Sequence, residues 1–307
     1  MSFGTWFIII GLCICLGLWL STERRLLPYQ STREFWRLSD LPFGKKVEGY
    51  FYAARAEWYL KPATWSWFMR YLIRSESADT YHGKMLTRQD AVKLVSLKQP
   101  VHLEDLDQVI PYPVAKSIIL QDPLPSLAVV ECPCRAQKAD ACMPRDVCLA
   151  VGEPYASFIV DHQPDRARRI TVEQALDIIA AEEERGHIHT AWFKDAMHNR
   201  FYVICNCCPC CCLGMKSYFR GVPRLTHSGY SPQLDPETCL NCSICESTCP
   251  FKAISAGEEF PAFDLELCMG CGLCTSHCPS GSLQLILTPE KGFALDIENL
   301  SQATAIH

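Results

Sequence analysis

The chain has 307 residues, 49% hydrophobic and 21% charged, with a formal net charge of −5. That length accommodates two soluble domains plus extensions, and the mildly acidic balance argues against a nucleic-acid partner. Twenty cysteines would imply a disulfide scaffold in a small secreted protein; gathered in close groups on a long chain, they imply metal ligands in a reducing compartment.

Residues 1–25 read as a transmembrane anchor. Phe3 to Leu20 is a run of 18 residues without a charge, about 27 Å as a helix and just enough for a thin hydrocarbon core. The run lacks the positive leading region and small-residue cleavage site of a secretory signal. Arg24 and Arg25 follow it, so the positive-inside rule places that side in the cytoplasm. The expectation is a single-pass protein of the cell (inner) membrane with its soluble part on the cytoplasmic side. Cys13 and Cys15 read as small apolar residues within the run.

Residues 26–125 read as a helical, aromatic-rich, membrane-proximal region. Tyr50, Phe51, Tyr52, Trp58, Tyr59, Trp65, Trp67, Phe68 and Tyr71 alternate with Arg55, Lys61, Arg70 and Arg74. This mixture suits either helices packed on the soluble domain or a docking face for a membrane partner. Further on, Thr87 starts a helix ending near Leu97, and Pro111 and Pro113 interrupt the next stretch.

Residues 126–229 read as a cysteine-rich metal-binding domain. Ser126 to Glu131 is strand-like and delivers the chain to Cys132. Thr171 to Glu184 is the clearest helix: Thr171 and Gln174 form a capping box, and Val172, Ala175, Leu176, Ile179 and Ala180 share a face. His189–Phe193 and Arg200–Ile204 then pair as a hairpin. Helix plus hairpin predicts a mixed α/β, winged-helix-like core, although Arg166, Arg168 and Arg169 do not amount to a basic DNA-binding face.

Two cysteine groups flank this unit. Cys132 and Cys134, beside Arg135, are followed by Cys142 and Cys148, and the second group runs from Cys205 through Cys207, Cys208, Cys210 and Cys211 to Cys212. If the strands entering the groups are neighbours, both emerge at one end of a sheet and build a shared site. Cys132, Cys134, Cys142, Cys148, Cys207, Cys208, Cys210 and Cys211 are the candidate ligands. An iron–sulfur cluster or a pair of clusters suits such all-thiolate donors, structural zinc needs four of them, and adjacent cysteines also permit a thiol–disulfide centre. His187, His189 and His277 read as packed or exposed side chains rather than ligands.

Residues 230–287 carry the most specific signal. Cys239, Cys242, Cys245 and Cys249-Pro250 form a C-x2-C-x2-C-x3-C-P run that recurs as Cys268, Cys271, Cys274 and Cys278-Pro279. Zinc knuckles need no third cysteine two residues on, whereas iron–sulfur cubanes use this run. The flanking Asp235-Pro-Glu-Thr and Asp264-Leu-Glu-Leu segments repeat too, as in a duplicated unit. Gly270, Gly272 and the left-handed tolerance of Asn241 let the loops approach a cube closely.

This stretch resembles the bacterial two-cluster ferredoxin family. The resemblance implies crossed ligation, with Cys239, Cys242, Cys245 and Cys278 holding cluster I and Cys268, Cys271, Cys274 and Cys249 holding cluster II. From about Val130 to Leu287 the combined cysteine groups resemble a family of prokaryotic cysteine-rich iron–sulfur proteins, which implies at least one further cluster upstream. Residues 288–307 read as a C-terminal tail. The expected whole is an α+β protein: transmembrane helix, cysteine-rich α/β domain and ferredoxin-like dicluster domain. Its expected function is membrane-anchored electron transfer through two 4Fe–4S clusters to or from the upstream centre. The partner would be a flavoprotein, a quinone-linked subunit or another oxidoreductase. Substrate reduction at the upstream cysteines, or redox sensing or metal trafficking, are the alternatives.

Overall fold

The computed structural model describes residues 11, 16–38, 41–61, 79–104, 106, 109–110, 117–120 and 125–297. Its centre is a seven-stranded sheet, with β1 Tyr81–Leu86, β4 Leu127–Glu131, β5 Asp146–Val151, β6 Ala167–Ile170, β7 Ile188–Lys194, β8 Phe201–Cys207 and β9 Leu225–Thr226. The order is β6-β4-β5-β8-β7-β1-β9. Neighbours are antiparallel except β1 and β9. A separate pair, β2 Val101–Leu103 and β3 Ile118–Leu120, lies beside it.

All seven residues of β7 are buried, as in a strand covered on both faces. Alternation sorts them. Ala191 and Phe193 join Leu94, Ala175 and Ile179 on one face, while Ile188 and Trp192 join Phe35, Tyr50, Tyr52 and Phe158 on the other. The first layer is built by α4 Arg88–Val95 and α7 Val172–Glu184, the second by α1 Gln30–Arg37, α2 Phe43–Ala54 and α6 Tyr155–His162. Short α3 Ala56–Leu60 and α5 Pro133–Ala136 adjoin the second layer. Both long first-layer helices begin at the expected threonine: Thr87 and Thr171 each close a capping box, with Asp90 and Gln174.

The expected transmembrane helix is corrected: among the described residues, no helix is long and apolar enough to cross a membrane. Residues 1–10 and 12–15 of the expected span lie outside the described residues. The described helix at 16–23 ends on fully buried Thr22 and Glu23. Glu23 accepts from the Tyr29 N–H at 3.0 Å, Thr32 at 2.8 Å and Tyr50 at 3.0 Å, and meets His162 at 3.1 Å. This end is therefore docked by a buried carboxylate onto α1, α2 and α6. Tyr50 and Tyr52 of the aromatic region are buried on α2, whereas Trp65, Trp67, Phe68, Arg70, Tyr71, Arg74, Pro111 and Pro113 lie outside the described residues.

The winged-helix expectation is also corrected. The helix and hairpin exist, but the β7–β8 hairpin lies inside the seven-stranded sheet rather than forming a free wing. Nor are β4 and β8 neighbours: β5 lies between them. Two antiparallel steps nevertheless leave β4 and β8 running the same way, so Cys132 and Cys207 emerge at one sheet end, and β5 adds Cys148 there.

After β9 the chain forms a smaller unit, with β10 Tyr230–Leu234 paired to β13 Leu283–Leu287 and β11 Ile254–Ser255 to β12 Ala262–Phe263. Beyond β13 the chain returns to the first layer, burying Leu295 and Ile297 and placing Asp296 3.0 Å from Lys93. Lys84, fully buried on β1, donates to the carbonyls of His227 at 2.5 Å and Phe293 at 2.6 Å, linking both ends of the smaller unit to the sheet.

The α7 cap provides a test of how independently the first layer is held. Thr171→Ala removes the oxygen that accepts from the Gln174 N–H at 3.3 Å. It is expected to lower unfolding free energy by about 1 kcal/mol, with Thr171→Ser near wild type, measured by anaerobic denaturant titration.

Candidate metal centres

In the smaller unit the two cysteine runs fold as tight loops entering α9 Ile244–Thr248 and α10 Leu273–Ser276. Left-handed backbone at Asn241 (φ 46°), Ser243 (φ 58°), Gly270 (φ 66°) and Gly272 (φ 86°) turns each loop inward. At Gly270 a Cβ would lie 2.0 Å from the Tyr230 carbonyl oxygen, so only glycine fits. Backbone N–H groups of Asn241, Gly270 and Ala253 point at the sulfurs of Cys239, Cys268 and Cys249, each at 3.4 Å.

Cys239, Cys242, Cys245 and Cys278 line one cavity, and Cys249, Cys268, Cys271 and Cys274 line another. Each therefore gathers three cysteines of one run and the fourth of the other. Burial raises the Cys271 thiol and pushes Cys274 up to about 12. Burial also raises Cys278, but hydrogen bonds from the Ser282 and Ser280 hydroxyls and backbone amides bring it down to about 7. Thiols held together in an apolar wall ionise readily only beside compensating positive charge, so these donors fit a resident metal cluster.

The upstream cysteines divide into two groups. Cys132, Cys134, Cys148, Cys205, Cys207 and Cys212 form a closed ring of thiol contacts: Cys132 to Cys148, Cys148 to Cys205, Cys205 to Cys207, Cys207 to Cys212, Cys212 to Cys134, and Cys134 back to Cys132. The Cys207–Cys212 separation is 3.3 Å. Cys132 and Cys134 come from the start of α5, Cys148 from β5, Cys205 and Cys207 from β8, and Cys212 from the cap of α8 Leu213–Tyr218.

The ring opens into a cavity walled by Tyr52, Tyr81, Trp192 and Tyr202. The Tyr52 and Tyr202 hydroxyls are 2.8 Å apart, and Tyr81 stacks on Trp192 with centroids at 4.4 Å. A Cβ on Gly214 would lie 2.5 Å from the Trp192 ring, so glycine lets α8 close against this wall.

The other four upstream thiols, Cys142, Cys208, Cys210 and Cys211, lie within 4.8 Å of one another. Cys142 and Cys210 are 2.8 Å apart. The eight candidate ligands read from the sequence are thus split, four into the ring and four into this compact set. The ring also includes Cys205 and Cys212, which the candidate ligand set leaves out. The signal for Cys205 was strand alternation, which puts it on the same face as Cys207; Cys212 had only its place before a helix.

Between the groups lies Arg135, fully buried. It pairs with Glu182 and donates to the Pro144 carbonyl, to the Asn206 carbonyl at 3.1 Å, and meets His187 Nδ1 at 3.1 Å. Burial raises the Glu182 carboxyl, but His187 and Arg135 together hold it below the usual range. His187 thus serves this network. His189 is buried against Asn206 at 2.6 Å, and His277 approaches the Glu184 carbonyl at 3.4 Å, so all three histidines pack outside the cysteine groups.

Residues 238–282 match the family model of a 4Fe-4S dicluster domain, and both cysteine runs fall inside that span. No curated protein matches the chain. The match makes this segment a ferredoxin-like iron–sulfur domain that binds 4Fe–4S clusters.

The Arg135–Glu182 pair is testable by truncation. Glu182→Ala leaves a buried guanidinium uncompensated and should cost about 3–5 kcal/mol, read as a lower denaturation midpoint. Any metal held by the upstream thiols should be lost from the same variant before iron is lost from residues 238–282, by elemental analysis after mild warming.

Proposed function

We propose that the protein is an iron–sulfur electron-transfer protein whose dicluster unit exchanges electrons with an additional iron–sulfur centre held by the six-thiol ring. Bound clusters supply one-electron transfer; the chain holds them, spaces them and keeps water away. The observation that carries the reading is α8. Cys212 caps its first turn, and Tyr218 at its other end meets Phe251 edge-on with centroids at 5.8 Å. Phe251 lies two residues after Cys249. Six helical residues span about 9 Å, so one short rigid element separates the ring from the inner ferredoxin cavity. Met215, Met269 and Leu273 fill the space alongside in one continuous core.

The ring's surroundings suit the same role. Burial raises Tyr52, Tyr81 and Tyr202 above the usual phenol range, so the wall stays neutral. At the opposite end, Cys242 is exposed, rimmed by the exposed side chains of Leu240 and Ile244, with exposed Phe260 on the neighbouring loop. The Asn241 amide donates to the Glu258 carbonyl at 3.3 Å, drawing the two loops together. This apolar rim is the proposed contact for a redox partner such as a flavoprotein or another oxidoreductase. A second reading, substrate reduction in the cavity, rests on the paired Tyr52 and Tyr202 hydroxyls, which place proton donors beside the thiols.

Metal analysis and rapid reduction test the first reading together. Cys205→Ser and Cys212→Ser should lose upstream iron and sulfide while retaining about eight irons in the dicluster unit. In Cys271→Ser, reduction of the upstream centre by a protein donor should slow at least about tenfold, in stopped-flow spectra. An unchanged rate would sink the proposed path. A ring spectrum that shifts on adding small electrophiles, and turnover abolished by Tyr52→Phe, would instead select the second reading.

A further inference from the structure

We propose that Cys142, Cys208, Cys210 and Cys211 bind a single tetrahedral thiophilic divalent ion, zinc or iron, separate from the iron–sulfur centres. The inference begins with size. A zinc-class ion with metal–sulfur bonds of about 2.3 Å holds four sulfurs about 3.8 Å apart in a tetrahedron. All four sulfurs here lie within 4.8 Å of one another, with Cys142–Cys210 at 2.8 Å and Cys210–Cys211 at 3.5 Å. A cubane presents its thiolates from four separate corner irons, and so needs a wider frame. Four cysteines also complete a tetrahedron with no open position, the mark of a structural rather than a catalytic ion.

Chain order gives the site a purpose. Cys134 and Cys148 belong to the ring and bracket Cys142; Cys207 and Cys212 belong to the ring and bracket Cys208, Cys210 and Cys211. One ion joining the two inner groups therefore staples the irregular residues 137–145 to the turn at 208–212, holding both sides of the ring at their spacing. Two cations lie within electrostatic reach of the thiols: Arg135, paired with Glu182, acts on Cys208, and Lys138, beside Asp140, acts on Cys210 and Cys211. Cys210 is exposed while Cys208 and Cys211 are buried, so the staple lies at the rim, with a route for the ion to enter from solvent.

The test is metal and sulfide stoichiometry of the full chain, purified anaerobically as wild type, Cys142→Ser and Cys210→Ser. The expected result is loss of one ion per chain in each variant without matching loss of sulfide, and unchanged paramagnetic resonance signals from residues 238–282. Loss of zinc identifies zinc; loss of one iron, together with a mononuclear high-spin ferric signal that appears when the wild type is oxidised with ferricyanide and is missing in the variants, identifies iron. Should Cys142→Ser fail to fold, Cys210→Ser at the exposed position and the absorption of cobalt(II) bound to the wild type as a tetrathiolate still decide the matter. Loss of iron and sulfide together in cluster proportion would overturn the proposal. So would full metal retention in both variants, or a Cys142–Cys210 disulfide mapped in the metal-loaded wild type.

Discussion

The buried Arg135 guanidinium is the interaction on which the upstream half of the molecule depends. Its partners come from four places: Pro144 in the first cysteine segment, Asn206 on β8, Glu182 on α7, and His187 at the entry to β7. A charge buried this completely is tolerable only when paired and hydrogen-bonded. Its geometry therefore ties both cysteine segments to the far-layer helix at once. Glu182 in turn accepts from Arg185 at 3.0 Å and approaches His187 at 2.7 Å, so the carboxylate is fixed from its own helix as well.

Ten thiols at one end of a sheet create the problem this cation partly answers. In an apolar enclosure, each thiolate makes its neighbours harder to ionise, and the ring divides accordingly: Cys132 and Cys207, across the ring from each other, are lowered by hydrogen bonds from adjacent thiols, while Cys134, Cys148, Cys205 and Cys212 are raised. One guanidinium does not balance so many sulfurs. With the proposed upstream centres bound, folding and metal binding would be one process at the cysteine-rich end. Strands β5 and β8 supply Cys148, Cys205 and Cys207, while α5, helix caps and loops supply the rest.

Legibility in the sequence followed the range of the interaction. Local signals were readable: the threonine caps of α4 and α7, the β7–β8 hairpin, and the duplicated cysteine run with its left-handed Asn241. The insertion of β5 between β4 and β8 was not, because no local pattern specifies strand order. Nor was the burial of Arg135, because its partner Glu182 stands 47 residues away. The apolar run ahead of Glu23 resembled a membrane span because hydropathy weighs side chains singly. It cannot register that Glu23 is buried among Thr32, Tyr50 and His162. The division of the upstream thiols into six and four depended on how two loops fold over one another, which spacing alone does not encode.

The two ferredoxin cavities are chemically unequal despite their repeated sequences, and the inequality follows from where the unit docks. The inner set faces the large core, where Met269 and Leu273 are buried, and Cys271 and Cys274 resist negative charge. At the outer set, Cys278 receives the Ser282 hydroxyl at 3.2 Å and Ser280 at 3.6 Å, while Cys242 reaches solvent. Hydrogen bonding and hydration both favour charge on sulfur, and both tune a cluster held by that sulfur. Duplication thus produced two similar loops, but docking one of them against the large core left the inner set in a drier setting than the outer one, where serine hydroxyls and solvent reach the sulfurs.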